Sequence, residues 1–294
     1  MDAAQQVLDL FSSLPLLGYA FIPIAAYAGY GLLLWMMGGH GREEARAVWF
    51  RSVVAAATVA FALLASVWVG YAASLYMNVT KVPASCLASF KPAPDLNLYA
   101  YSVAVEEALD CAYGEFSSKF NGLKEVYINV FRAAAIAGAV PLLSSWSMGV
   151  FQAAMPMSGA ASGALISLSV AMAAVGIAKG LVALMGLGAF LLATERLTPL
   201  GALILAAAMV LPAALAGAAD AVREVPFRGG DLGQIIASAL GGYWRAVDWG
   251  LLVDDTKHAA AISTYIATAL SLASAATAAA AYALSRVAQH LSVE

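Results

Sequence analysis

Long apolar runs with almost no charge dominate this sequence. One of them, TPLGALILAAAMVLPAALAGAA from Thr198 to Ala219, contains no charged residue. A transmembrane helix needs about 20 consecutive apolar residues. Lipid admits only helices and closed barrels as spanning structures, because every backbone polar group must be hydrogen-bonded internally. Runs of this length and composition predict an all-α, polytopic membrane protein.

The overall composition supports this prediction. Hydrophobic residues make up 62% of the chain and charged residues 11%, whereas a soluble domain has about 25% charged residues. Abundant alanine and glycine suit helices that pack closely in lipid. The net charge is −3, and no Lys/Arg cluster of the kind that marks a nucleic-acid-binding surface is present.

The pattern of apolar and polar stretches divides the chain into five segments. In order, they are an N-terminal amphipathic segment with the first two spans (1–77), a polar loop (78–124), central apolar helices (125–219), a second polar loop with an amphipathic helix at the membrane surface (220–258) and a C-terminal span (259–294). The span count is five if 126–156 does not cross and 159–194 is one tilted helix. It is seven if that region crosses three times.

Basic residues predict the orientation of the chain. The short stretch Gly38–Arg51 carries three arginines, and short loops rich in Lys and Arg stay in the cytoplasm. The second span then delivers Asn78 to the outside. An odd number of spans places the N-terminus outside and the C-terminus, near Arg286, in the cytoplasm. We therefore expect a multi-pass protein of the plasma membrane with this orientation.

The loop 78–124 contains both cysteines of the chain, Cys86 and Cys111. Disulfides form outside the cytosol, so an extracytoplasmic loop favours a bond between them over the alternative of two free buried thiols. In the chain-entropy model, a disulfide that closes the loop from Cys86 to Cys111 stabilises the folded protein by on the order of 3 kcal/mol. Asn78 begins the sequon Asn-Val-Thr and is a candidate glycosylation acceptor.

The sequence offers few residues for catalysis or metal binding. Its three histidines, His40, His258 and His290, lie in separate loops or ends, without Cys or carboxylates at metal-ligand spacing. Nucleotide-binding, metalloprotease and serine-hydrolase motifs do not occur. We therefore predict that the protein is not an enzyme and takes no cofactor and no metal.

Two charges stand within otherwise apolar sequence, Arg132 and Lys179. Charges in hydrocarbon are costly and often mark a transport pathway, so both are candidates for residues that face an aqueous lumen. The alternative is that each side chain snorkels to an interface or pairs with a carboxylate such as Glu125.

The central turn resembles a known family. The stretch KGLVALMGLGAFLLATERLTPLGALILAAAMVLPAAL, from Lys179 to Leu215, has a glycine-rich helix, a short polar turn with arginine and a second helix ending in proline. In this it is similar to the CedA membrane proteins of the crenarchaeal DNA-import system. Those resemble the polytopic channel subunit of bacterial type IV secretion and conjugation machines. The odd span count and the large outside loop agree with that family.

The resemblance implies a channel subunit that moves DNA across the membrane as a homo-oligomer. It also implies a separate hexameric ATPase, small membrane subunits and a pilus as partners. Two other functions fit a chain of this composition. One is a small-solute transporter or channel, and the other is a structural membrane anchor for a surface complex.

Overall fold

The computed structural model describes residues 16–39, 41–92, 97–139, 144–192, 197–226 and 249–291. Helix is the regular secondary structure of these residues. The helices are α1 (Leu16–Met37), α2 (Gly41–Val79), a 3-10 helix (Leu87–Ser89), α3 (Leu98–Ala139), α4 (Ser144–Ala183), α5 (Met185–Leu192), α6 (Thr198–Arg223) and α7 (Trp249–Leu291).

Five stretches of helix within the described residues are long and apolar enough to cross a membrane. They are Leu16–Met37, Gly41–Val79, Ser158–Ala183, Thr198–Arg223 and Asp254–Ala288. The prediction of an all-α, multi-pass membrane protein is thus confirmed for this part of the chain. Five is also the lower of the two span counts that the sequence allows.

Four of the helices are much longer than a bilayer is thick. α2, α3, α4 and α7 contain 39, 42, 40 and 43 residues. At a rise of about 1.5 Å per residue these helices are roughly 58 to 65 Å long, about twice the 30 Å hydrocarbon core. None of the four can therefore lie in the bilayer over its whole length unless it is strongly tilted.

The polar stretch Gly38–Arg51 is mostly helical rather than a loop. α1 ends at Met37 and α2 begins at Gly41, with positive φ at Gly38 (71°) and Gly39 (54°). Glycine adopts this backbone conformation without steric cost. Acidic residues Glu43 and Glu44 occupy the first turn of α2, where they interact favourably with the helix dipole. The three arginines thus lie on a helix, a correction to the expected loop.

The central apolar region also breaks at specific points. α3 ends at Ala139 and α4 begins at Ser144. The described part of the run 159–194 is not one continuous helix. It continues α4 to Ala183 and then forms the short α5, and the backbone hydrogen bond from Leu184 N–H to the Gly180 carbonyl (3.0 Å) bridges the junction.

The helical regions at the start and end of the second polar loop differ from the prediction. α6 continues through Asp220 to Arg223, and α7 already begins at Trp249. The expected amphipathic helix at 232–247 and the N-terminal amphipathic segment lie outside the described residues. Two acids assigned to this loop are buried in helices. Asp220 is 0% exposed and Asp255 is 5% exposed, and both have interaction partners.

The chain forms two compact units. The first comprises Met1–Ala112, Ala174–Gly217 and Leu270–Glu294, and the second comprises Tyr113–Ala173 and Ala218–Ala269. In the first unit α1 and α2 form an antiparallel hairpin, and α5 packs against both helices. In the second unit the core contains apolar side chains of α4 and α7, such as Leu168 and Ile262.

Glycines permit the closest helix contacts of the first unit. A Cβ atom on Gly186 of α5 would collide with the backbone carbonyl oxygen of Ala20 on α1. A Cβ on Gly201 of α6 would likewise collide with the backbone of Leu192 at the end of α5. Small residues let helix backbones approach in this way in membrane proteins. Packing within this chain therefore accounts for three glycines of 179–215, namely Gly186, Gly188 and Gly201.

Candidate functional site

The predicted pairing of the two cysteines is confirmed. Cys86 and Cys111 form a disulfide with a Cα–Cα distance of 5.4 Å, and the Cys86 side chain is fully buried. Cys86 directly precedes the 3-10 helix and Cys111 lies on α3. The bond therefore ties the connector after α2 to α3.

The same connector is anchored to α2 by an aromatic side chain. Phe90 is 1% exposed and Leu87 is 0% exposed. The ring of Phe90 lies directly over Gly70 of α2, where a Cβ atom would collide with it. A buried aromatic ring contributes a large apolar area. The disulfide and Phe90 together hold the connector on the helices of the first unit.

Lys179 forms an ion pair beside this disulfide. Its Nζ lies 2.5 Å from Oδ1 of Asp110, the residue before Cys111, and the two side chains are 33% and 61% exposed. Partly exposed pairs contribute about 0–1 kcal/mol in water. The pair thus places a carboxylate next to a lysine that the sequence assigns to apolar surroundings. The partner is Asp110 rather than Glu125.

Asp110 is the residue that sequence analysis missed. It lies 69 positions from Lys179 along the chain, so no local pattern joins the two. The only signal in the sequence is that Asp110 adjoins a cysteine predicted to be bridged. The ion pair forms where Asp110 of α3 meets Lys179 of α4 in the first unit.

The other predicted site residues are not part of this arrangement. Arg132 is exposed on α3 and belongs to the second unit, whereas Lys179 belongs to the first. Asn78 is exposed in the last turn of α2. The lumen roles of Lys179 and Arg132 and the glycosylation of Asn78 stay predictions.

A second polar cluster lies in the second unit, at the C-terminal end of α6. Lys119 Nζ on α3 donates hydrogen bonds to the backbone carbonyls of Arg223 (2.9 Å) and Val225 (2.6 Å). A cation at the C-terminal end of a helix donates hydrogen bonds to the last carbonyls and interacts favourably with the helix dipole. Arg223 in turn lies 3.7 Å from Glu115. Burial lowers the pKa of Lys119, an effect that nearby Glu115 and Glu224 oppose.

No cluster of three or more His, Cys, Asp or Glu side chains within the described ranges could hold a metal ion. The site is therefore built from a disulfide, a buried aromatic anchor and an ion pair. Such an arrangement fixes helices and presents charge.

Comparison with known proteins gives no relative for this chain: no family model, curated protein or solved structure matches it.

Proposed function

We propose that the protein is a membrane channel subunit of a DNA-import or conjugation-like translocation machine. The observation that carries the proposal is the length of α2, α3, α4 and α7, each about twice the bilayer thickness. Helices that continue beyond the membrane extend a conduit toward partner subunits that receive or deliver a polymer. The resemblance of Lys179–Leu215 to CedA proteins points to DNA as that polymer.

The proposal includes an assembly. Gly176 and Gly180 lie four residues apart on α4, and a Cβ atom at either one would meet nothing within 4 Å. Exposed small residues at this spacing accept a helix of another subunit, which favours a homo-oligomer. A separate hexameric ATPase drives transport, and small membrane subunits and a pilus complete the machine in the plasma membrane.

The proposed orientation has the N-terminus outside and the C-terminus in the cytoplasm. The disulfide region then lies outside, and the Asp110–Lys179 pair lies with it because Asp110 adjoins Cys111. In this arrangement the third crossing uses the C-terminal part of the apolar stretch Ser158–Ala183 together with α5, that is, residues 174–192 of the first unit. These 19 residues of α4 and α5 cover about 28 Å, enough for one crossing. Lys179 then lies near the outer end of that crossing.

Labelling of engineered cysteines tests the orientation. In intact cells an impermeant thiol reagent is expected to modify a cysteine at Ser89 but not one at Glu43, because only the former faces outside. The background for both variants is Cys86→Ser/Cys111→Ser, and lysed cells show that each cysteine is reactive. Labelling at Glu43 and protection at Ser89 in intact cells would contradict the orientation.

Substitution of the ion pair tests the transport role of Lys179. We expect Lys179→Leu to lower DNA uptake by about tenfold, equivalent to about 1.4 kcal/mol in the transport barrier, with membrane abundance unchanged. Asp110→Leu should leave uptake near the wild-type rate, because the lumen needs the cation and not its partner. The assay is DNA uptake in a strain that lacks the native copy.

Reversing both charges distinguishes a lumen role of Lys179 from a purely structural ion pair with Asp110. If Lys179→Asp/Asp110→Lys restores uptake and both single Leu variants impair it, the pair is structural and the lumen role is wrong. Normal uptake by the full deletion strain would reject DNA transport altogether.

One observation favours the solute transporter as the second candidate. The interruption at Leu184 divides an apolar run into α4 and the short α5, and transporters place substrates at discontinuous helices. For this candidate, the deletion strain takes up DNA normally but loses accumulation of a small solute.

A further inference from the structure

A groove opens on the surface of the first unit between α1, α2 and α5. Its volume is about 490 Å³, within the range of small-molecule sites. The lining residues come from three helices: Pro23, Ala26, Tyr27, Tyr30, Arg51, Leu187 and Phe190. All but Arg51 present apolar or aromatic surface, so the groove combines one cation with a hydrophobic wall.

The cation in this groove has no counter-charge within the described residues. Among the described residues, Lys179, Arg223 and Lys257 form ion pairs, whereas Arg51 forms none. Its side chain is exposed. An unpaired charge beside apolar helices is costly in lipid, so an anion that binds Arg51 would be stabilised at this position.

The position of Arg51 along α2 corresponds to the membrane interface. Arg42 stacks over the Trp35 ring (5.4 Å), which itself stacks on Trp49 (5.4 Å), and such aromatic clusters are enriched at the headgroup level. Arg51 lies two residues beyond Trp49, and the uncharged part of α2 begins at Ser52. Arg51 therefore lies at the junction between the charged and the apolar part of α2, from which its long side chain can snorkel toward the lipid phosphates.

The aromatic side of the groove is suited to a lipid chain. Tyr27 packs edge-on against Phe190 with ring centroids 4.9 Å apart. Tyr30 is 51% exposed and Leu187 is 41% exposed. The two tyrosines also bring hydroxyl groups to the same groove as Arg51, and a hydroxyl can donate to a phosphate oxygen.

We propose that this groove is a binding site for one anionic phospholipid. Its phosphate group binds the Arg51 guanidinium, which suits bidentate contact with phosphate oxygens. One hydrocarbon chain lies along Tyr27, Phe190 and Leu187. Basic pockets between transmembrane helices bind anionic headgroups by the same physics. The lipid neutralises Arg51 and covers the apolar wall at once, which neither a free anion nor a neutral lipid does.

Native mass spectrometry of the full chain in detergent tests this site. The probes are phosphatidylglycerol and phosphatidylcholine with identical chains. We expect the wild-type protein to bind phosphatidylglycerol about tenfold more tightly, and Arg51→Gln to lose that preference. Arg46→Gln is the matched control, because Arg46 is exposed on the same helix but does not line the groove. It should stay within about twofold of wild type.

Two further measurements keep the outcome unambiguous. Ala26→Leu retains the charge but fills the groove, so it should also weaken phosphatidylglycerol binding, while Arg51→Lys should retain part of it. Equal losses in Arg46→Gln and Arg51→Gln would mean that surface charge alone attracts the lipid, and would overturn the proposal. Full competition by millimolar inorganic phosphate would overturn it as well, because the ligand would then be the free anion.

Discussion

Replacing both Cys86 and Cys111 with serine is expected to lower the free energy of unfolding by about 2–5 kcal/mol. The bond joins residues 25 positions apart, so its loss frees a loop of this length in the unfolded chain. It also loosens the connector that carries Leu87 and Phe90, both at most 1% exposed. Denaturation with sodium dodecyl sulfate in mixed micelles measures the change.

The disulfide prediction has an internal control. A reductant should lower the stability of the wild-type protein to the same extent and leave the double serine variant unchanged. The prediction would be contradicted if the wild type and the double serine variant unfolded at the same concentration of sodium dodecyl sulfate, and if the wild-type cysteines were alkylated without reduction. The bond would then be absent from the folded protein.

Gly186→Ala is expected to destabilise the first unit by at least about 2 kcal/mol. The added Cβ would collide with the carbonyl oxygen of Ala20, a backbone atom on a residue that is 1% exposed. A backbone atom cannot turn aside as a flexible side chain can, so α1 and α5 must separate. The same denaturation measurement reports the loss, accompanied by lower membrane abundance.

Gly29→Ala is the matched control for this variant. Gly29 lies on α1 with open space around its Cβ position. Alanine is favoured over glycine inside a helix by about 0.5–1 kcal/mol, so this variant should be as stable as the wild type or more stable. If both alanine variants had the same stability, the close approach of α5 to α1 would be wrong.

Four glycines of the apolar run 159–194 show where sequence reasoning stops. Gly176, Gly180, Gly186 and Gly188 look equivalent in the sequence. The structure separates them, because Gly186 and Gly188 lie against other helices of the first unit and the other two face open space. Which glycine is packed depends on residues that are far away along the chain, and no local pattern records it.

The candidate site also combines features that the sequence predicts with features that only the tertiary structure shows. The disulfide was predictable, because two cysteines in one polar loop have few alternatives. Lys179 was identifiable as a charge in apolar sequence, but its partner Asp110 was not, since only the tertiary structure brings the two residues together. The groove at Arg51 was also missed. Arg51 was interpreted as one of three loop arginines, although it lies on α2 beside residues of α1 and α5.

The sequence alone determined the class of this protein. Lipid requires internal hydrogen bonding and about 20 apolar residues per crossing, so composition and run length were sufficient to predict a helical, multi-pass chain. Tertiary structure decided the rest: which glycines touch a neighbouring backbone, which carboxylate pairs with Lys179 and which arginine lines a groove. These features depend on contacts between residues tens to more than a hundred positions apart, and such contacts form only when the helices pack.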